Sequence, residues 1–241
     1  MKAVRLHSDG LRLEDVPTPV PRDDEVLVRV HAAAITRDEL TWPTDRLPAT
    51  PSYELSGVVE ETGQEVIALT PFDRDGVAAE WAAVPGNLLA PKPAGLSHEE
   101  AAALPMTGLT AWQGLVVHGA LAAGEQLLVS GSHGGVGHVA VELAERLGAV
   151  VVDEAERCDL LFDTVGGDWL AGHAAQATRV VTIAAEAPGA TYFVVEPDGA
   201  QLAALPPLRP MVDSVFPLAE FAAAFARVEA RGKLGKVVLR V

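Results

Sequence analysis

The chain has 241 residues, enough for two small domains or one large one. It is 49% hydrophobic and 21% charged, a globular composition, and an aromatic share of only 5% leaves the core to Ala, Val and Leu. Thirty-three acidic against 18 basic residues give a formal net charge of -15, which argues against nucleic acid or an anionic membrane as the main partner, and the single cysteine, Cys158, excludes an internal disulfide and a Cys-rich zinc site.

The first ten residues mix Lys2, Arg5 and Asp9 with short apolar pieces, unlike a signal peptide. No stretch approaches about 18 uninterrupted apolar residues, so a reducing cytoplasm is the expected location. Residues 1–90 read as β-rich. Glu25-Val26-Leu27-Val28-Arg29-Val30 alternates polar and apolar, as a half-buried strand does. Gly57-Val58-Val59 and Glu65-Val66-Ile67-Ala68-Leu69 are further short strands. Pro17, Pro19, Pro21, Pro43, Pro48, Pro51 and Pro71 forbid long helices, so this region is expected to be a small barrel or sandwich.

The character changes near residue 97. Ser97-His98-Glu99-Glu100 is a capping box, with Ser at the cap and Glu three residues later. It opens an apolar run over 101–104 that Pro105 interrupts, and a second helix is predicted over 108–119. A strand over 126–130, a Gly-rich turn and a helix to about residue 147 follow. Strands are predicted at 150–152, 159–163 and 179–183. Strands alternating with helices imply a parallel sheet covered on both faces, an α/β arrangement. Leu218, Phe221, Ala222, Phe225 and Val228 have helical spacing, and 235–239 is a closing strand.

The segment Gly131-Ser132-His133-Gly134-Gly135-Val136-Gly137 follows a predicted strand and opens a predicted helix, the context in which a Gly-rich run carries information. Gly131 permits the tight turn. Gly134 and Gly135 let a pyrophosphate approach the backbone, and Gly137 lets the helix pack closely on the strand. The N–H groups and dipole at the helix start favour phosphate charge. Asp153 stands at the end of the next strand, where a dinucleotide fold places an acid on the ribose hydroxyls. A solvated strand-end Asp is the other account of it.

Several motifs, in order, resemble one family. They are Ala90-Pro91-Lys92-Pro93-Ala94-Gly95-Leu96-Ser97, Glu99-Glu100-Ala101-Ala102-Ala103-Leu104-Pro105, Gly108-Leu109-Thr110-Ala111-Trp112, Gly134-Gly135-Val136-Gly137 and Phe162-Asp163-Thr164-Val165-Gly166-Gly167. The opening Met1-Lys2-Ala3-Val4 and the closing Gly235-Lys236-Val237-Val238-Leu239 fit as well. Together they look like the zinc-independent quinone oxidoreductase branch of the medium-chain dehydrogenase/reductase superfamily, in a shortened form. The resemblance implies a GroES-like β-barrel catalytic domain over 1–104 and 206–241. It implies a truncated Rossmann-type parallel-sheet domain over 105–205, which binds the dinucleotide. It also implies hydride transfer from NADPH, or NADH, to a quinone or an α,β-unsaturated carbonyl, and pairing as a homodimer through the nucleotide-binding sheet.

The family's zinc-binding members need a Cys, His and acidic ligand set in the barrel domain and a Cys-rich lobe; here the seven histidines are scattered with no i, i+4 pair and there is one cysteine, so no metal is expected. Thr36 stands in Ile35-Thr36-Arg37-Asp38 where Asn is common, and Asp38 is retained. Tyr53 matches a cleft Tyr of many members that could hydrogen-bond a carbonyl or protonate an enolate. Thr110 matches a Thr beside the nicotinamide, and Lys92 a structural Lys. His133 and His138 flank the glycine turn, either near a phosphate or as surface imidazoles. Thr36, Asp38 and Tyr53 are thus the expected catalytic residues. Thr110, Gly131, Ser132, His133, Gly134, Gly135, Val136, Gly137 and Asp153 are the expected cofactor ligands.

The chain is short at 60–64, at 197–209 and, most consequentially, after Leu147-Gly148-Ala149. The family continues there with a strand, a helix and another strand before the Phe162-Asp163 motif. Here only 150–159 intervene, fewer than the dozen or so residues that a crossover needs. Either 150–153 is the second strand and the following helix and strand are gone, or 150–153 corresponds to the third strand and Asp153 is no ribose ligand. Either way the adenosine pocket is altered. Arg157 is available to a 2′-phosphate or is a solvated surface residue. Two functions follow: a metal-free NAD(P)H-dependent quinone or enone reductase, or a cofactor-independent isomerase, cyclase or eliminating enzyme on a degenerate scaffold that uses Asp38, Tyr53 or His133.

Overall fold

The computed structural model describes residues 1–42, 45–153 and 157–241, so Pro43 lies outside the described residues. The proline-punctuated first part folds as strands. β1 (Lys2–His7) and β2 (Gly10–Asp15) form an antiparallel hairpin. β3 (Glu25–Ile35), β4 (Glu54–Val59), β5 (Glu65–Leu69), β6 (Trp81–Pro85) and β7 (Leu89–Pro91) follow. The long β3 shifts register against β4 between Val30 and Ala32. Such a bulge bends a strand, and β3 serves two neighbours: its first half pairs β6 and its second half pairs the closing strand of the chain.

Ser97 caps α1 (His98–Ala102) as the sequence predicts: its Oγ accepts from Glu100 N at 3.2 Å, and Glu100 Oε2 accepts from Ser97 N at 2.8 Å. Pro105 opens α2 (Pro105–Trp112), a first-turn position where its missing N–H costs nothing. The expected helix over 108–119 does not continue regularly. Gln113–His118 is a wide π-type turn, closed by Gly119 N donating to the carbonyl five residues back, Gly114 O, at 2.9 Å. Gly114 lies against the ring of Phe162, which leaves no room for a Cβ.

β8 (Gln126–Val129), α3 (Gly135–Arg146), β9 (Val150–Val152), β10 (Cys158–Asp163), α4 (Gly167–His173), β11 (Ala177–Thr182) and β12 (Thr191–Tyr192) build the second sheet. Its order is β12-β11-β10-β8-β9, and every pairing is parallel. β9 lies directly beside β8, in the place of the second strand of a dinucleotide-binding sheet, and Asp153 follows it. One strand occupies the edge where the family has two, as the shortened sequence predicts. The core of this sheet is aliphatic, with Leu128, Leu161, Leu170 and Val180 around Cys158. Phe162 is its largest fully buried side chain, and burying a group of that size contributes about 1.5–3 kcal/mol.

The chain ends with α5 (Gly199–Ala204), β13 (Val212–Pro217), α6 (Phe221–Glu229) and β14 (Lys236–Arg240). β14 is antiparallel to β3 and completes a seven-stranded sheet of order β13-β14-β3-β4-β5-β7, with β6 also on β3. α6 packs Ala224, Phe225 and Val228 on Val4, Ile35, Val237 and Leu239. Val28, Val30, Leu55, Val66 and Val84 fill the rest of this core.

Two compact units result: Met1–Pro105 with Pro197–Ala204 and Pro210–Val241, and Met106–Glu196 with Leu205–Arg209. Residues 197–204, expected with the nucleotide-binding domain, join the β-rich unit because α5 packs on β5 and β7. Among the described residues no helix is long and apolar enough to cross a membrane.

Candidate active site

In the parallel-sheet unit, the predicted glycine turn joins β8 to α3. Gly131 sits at φ +65°, and a Cβ there would lie 2.5 Å from Thr164 Oγ1. Gly137, on the first turn of α3, faces the Gly131 carbonyl so closely that a Cβ would collide with it. Gly134 N donates to Gly131 O at 2.8 Å, and Gly134 then caps α3 without a side chain. Gly131, His133 and Gly134 are exposed, while Ser132, Gly135 and Val136 are half-buried. Ser132 Oγ lies 3.3 Å from His133 Nδ1. The first-turn N–H groups of α3 thus have no side-chain cap and stand at the positive end of a 12-residue helix, a fit for a diphosphate.

Asp163 and Thr164, which the sequence reading quoted only as part of a family motif, hold this turn in place together with Ser130. Asp163 is fully buried at the end of β10. It accepts from Ser130 Oγ at 2.7 Å, Thr182 Oγ1 at 2.7 Å, Gly166 N at 3.0 Å and Val165 N at 3.2 Å. One carboxylate therefore ties together the ends of three adjacent strands. Thr164 adds two bonds to Ser130, from N to Oγ at 2.7 Å and from Oγ1 to O at 2.8 Å. Asp153 is exposed at the end of β9. Thr110 is buried, and its Oγ1 donates to Met106 O at 2.6 Å, so its hydroxyl proton is spent inside its own helix.

In the β-rich unit, the registers of β14, β3 and β4 continue one step past Ile35. Val237 opposes Ile35 and Ala34 opposes Glu54, so Lys236 and Ser52 flank Thr36. Lys236 Nζ donates to Thr36 Oγ1 at 2.8 Å and forms an ion pair with Glu54, whose side chain is 0% exposed. Glu39 completes the group. Its Oε2 accepts from Thr36 N at 2.9 Å and its Oε1 from Ser52 N at 3.0 Å, clamping the two backbones together. Burial pushes the Glu39 carboxyl up to about 7, against the lowering effect of those N–H groups and of Lys236.

Tyr53 follows Ser52, which is held in the left-handed region at φ 63°. Its ring stacks on Trp42 at 5.7 Å and meets Phe72 edge-on at 5.3 Å. Burial first, and the nearby Glu39 second, push its hydroxyl above the usual tyrosine value. Asp38, expected in the site, is exposed at φ 63°, and its carbonyl accepts from Thr41 N at 2.8 Å. The acid turned inward is its neighbour Glu39. Glu39, Glu54 and Lys236 were all missed, and only for Lys236 was there a signal, a lysine inside an apolar closing strand. Among the described residues no three His, Cys, Asp or Glu side chains form a group that could hold a metal ion.

A family model described as alcohol dehydrogenase GroES-like domain matches residues 22–94, and one described as zinc-binding dehydrogenase matches residues 135–239. The chain is 30% identical to the 2-methylene-furan-3-one reductase of Solanum lycopersicum, over 96% of its own length and 76% of the relative's. It is also 30% identical to the NADPH-dependent alkenal/one oxidoreductase, chloroplastic, of Arabidopsis thaliana, with the same shares of each chain covered. Among solved structures, the quinone oxidoreductase from Thermus thermophilus, determined alone and with NADPH, superposes with a TM-score of 0.87 at 32% identity and covers 100% of both chains.

Proposed function

The chain belongs to the medium-chain dehydrogenase/reductase superfamily of oxidoreductases, and from that premise we propose that it reduces a quinone or an α,β-unsaturated carbonyl compound with NADPH, or NADH in its place. The observation that carries this reading is the 131–137 turn, whose glycines leave a row of backbone amides open at a helix start. Backbone N–H groups of 135–137 and the Ser132 hydroxyl would hold the diphosphate, and Asp153 a ribose hydroxyl. When bound, the reduced nicotinamide supplies a hydride.

The protein's own task is electrostatic. As the β-carbon of an enone is reduced, an electron pair moves to the carbonyl oxygen, and one proton completes the reduction. In this reading Thr36 and Tyr53 hydroxyls donate to that oxygen, and Tyr53 delivers the proton. The side chains grouped with Thr36 are an ammonium and two carboxylates, Lys236, Glu54 and Glu39, with the acids engaged by Lys236 and by backbone N–H groups, and the reading assigns no metal to them.

The test is a titration with NADPH and with NADH, followed by nicotinamide fluorescence and then by loss of nicotinamide absorbance with a quinone and an enone. Saturable binding with acceptor-dependent oxidation is expected. No binding up to millimolar coenzyme, or product formed from an enone in coenzyme-free buffer, would overturn the assignment.

A further inference from the structure

Lys236 lies 200 positions from Thr36 in the sequence and is 6% exposed, yet its ammonium reaches Thr36 Oγ1 at 2.8 Å. An ammonium has three donors and no acceptor. A hydroxyl that accepts from it cannot give its own proton back. Among the described residues no acceptor lies within hydrogen-bond distance of the Thr36 hydroxyl proton, and the residue is half-buried rather than sealed. Its backbone N–H is already engaged by Glu39 Oε2. The geometry thus fixes both the residue and the direction in which its one remaining donor can be used.

Building on the reductase reading, we propose that Lys236 is a positioning residue that turns Thr36 into a polarised, one-way hydrogen-bond donor for the substrate oxygen that gains negative charge. Accepting from a cation strengthens the outgoing bond of a hydroxyl, and more so where the surroundings exclude water. Glu54, fully buried beside Lys236, holds the ammonium in place so that the cation need not reorganise as charge develops. Glu39 contributes by what it withholds. Burial makes it protonate more readily than a free carboxylate, which removes a negative charge from beside an oxygen that must itself become negative.

The test is a double-mutant cycle on the full chain. Thr36→Val removes the donor and Thr36→Ser restores it. Lys236→Met combined with Glu54→Gln removes the cation together with its buried counter-charge. Thr36→Val is expected to lower kcat by about 100-fold with little change in KM, as loss of one oxyanion donor does. The Lys236→Met/Glu54→Gln variant should lose a comparable factor, and Thr36→Val should cost almost nothing further in that background. Additive losses would show that Lys236 does not act through Thr36.

A second readout needs no turnover. p-Nitrophenol, whose absorbance reports ionisation, should bind to the wild type preferentially as the phenolate, and both variants should lose that preference. An unaltered preference in Thr36→Val would overturn the proposal, and that variant decides alone if the charge-removed one fails to fold. Should the wild type oxidise no nicotinamide while keeping the phenolate preference, the reductase reading falls and the Lys236–Thr36 donor stands.

Discussion

In the parallel-sheet unit the groups offered to a ligand are backbone amides, and the chain clears space for them by doing without side chains at Gly131 and Gly137. In the β-rich unit the groups are side chains, and the chain supports them by burying three ionisable residues, Glu39, Glu54 and Lys236, among apolar strands. The first arrangement is local: seven consecutive residues make the turn. The second gathers partners from β14, β3 and β4 and so exists only when those strands are in register. A turn of the first kind depends on its own glycines and on the Asp163 and Thr164 hydrogen bonds that brace it from behind. A cluster of the second kind is exposed to any change that unbalances its charges.

The largest test of this contrast is Lys236→Met alone. It leaves the Glu54 carboxylate, 0% exposed, without its cation, and breaking a buried pair from one side costs about 3–5 kcal/mol. Adding Glu54→Gln should return most of that loss, read as the urea midpoint of unfolding. A single variant as stable as the wild type would break the comparison. Next, Gly137→Ala places a methyl group against the Gly131 carbonyl. About 1–3 kcal/mol of stability should be lost to overpacking. The dissociation constant for NADPH should rise by about tenfold or more, equivalent to about 1.4 kcal/mol. Unchanged coenzyme binding would separate the turn from the ligand.

The pH dependence sharpens the electrostatic side. Glu39 has a folded-state value of about 7 against an ordinary 4.5, so the native state holds its proton more tightly than the unfolded chain does. Its contribution is fully present below pH 4.5 and is lost as pH rises through 7. Glu39→Gln lacks that titration, so relative to wild type it should gain stability between pH 5 and pH 8, measured by urea midpoints at both values. A difference that does not change with pH would contradict the assignment. The smallest effect is expected for Ser97→Ala, outside both sites. Losing the cap of α1 should cost about 1 kcal/mol of stability and leave coenzyme binding untouched.

How much the sequence discloses follows the same division. The 131–137 turn was legible because few roles other than a close approach require so many glycines between a strand and a helix. The capping box at Ser97 was legible because both of its partners lie within four residues. The placement of β9 was not, since Val150-Val151-Val152 would suit either of two strands, and its pairing with β8 shows only that it fills the edge position. The inward acid could not be read from Arg37-Asp38-Glu39, where the left-handed turn at Asp38 decides which carboxylate faces the interior. Alternation fails for Glu54 because β4 lies between β3 and β5 and is buried on both faces over most of its length. The helix predicted over 108–119 gives way to a π-type turn at Gln113–His118, where Gly114 lies against Phe162, 48 positions away.

The closing strand has a consequence for the order of events during synthesis. A ribosome delivers Glu39 and Glu54 long before Lys236, which emerges 200 residues after Thr36. Until β14 arrives, the nascent chain must leave those two acids in contact with water. The main segment of the intervening unit, Met106–Glu196, has by then left the exit tunnel and can fold first. The β-rich unit, although most of it is translated ahead of the other, is the one that must wait to be sealed.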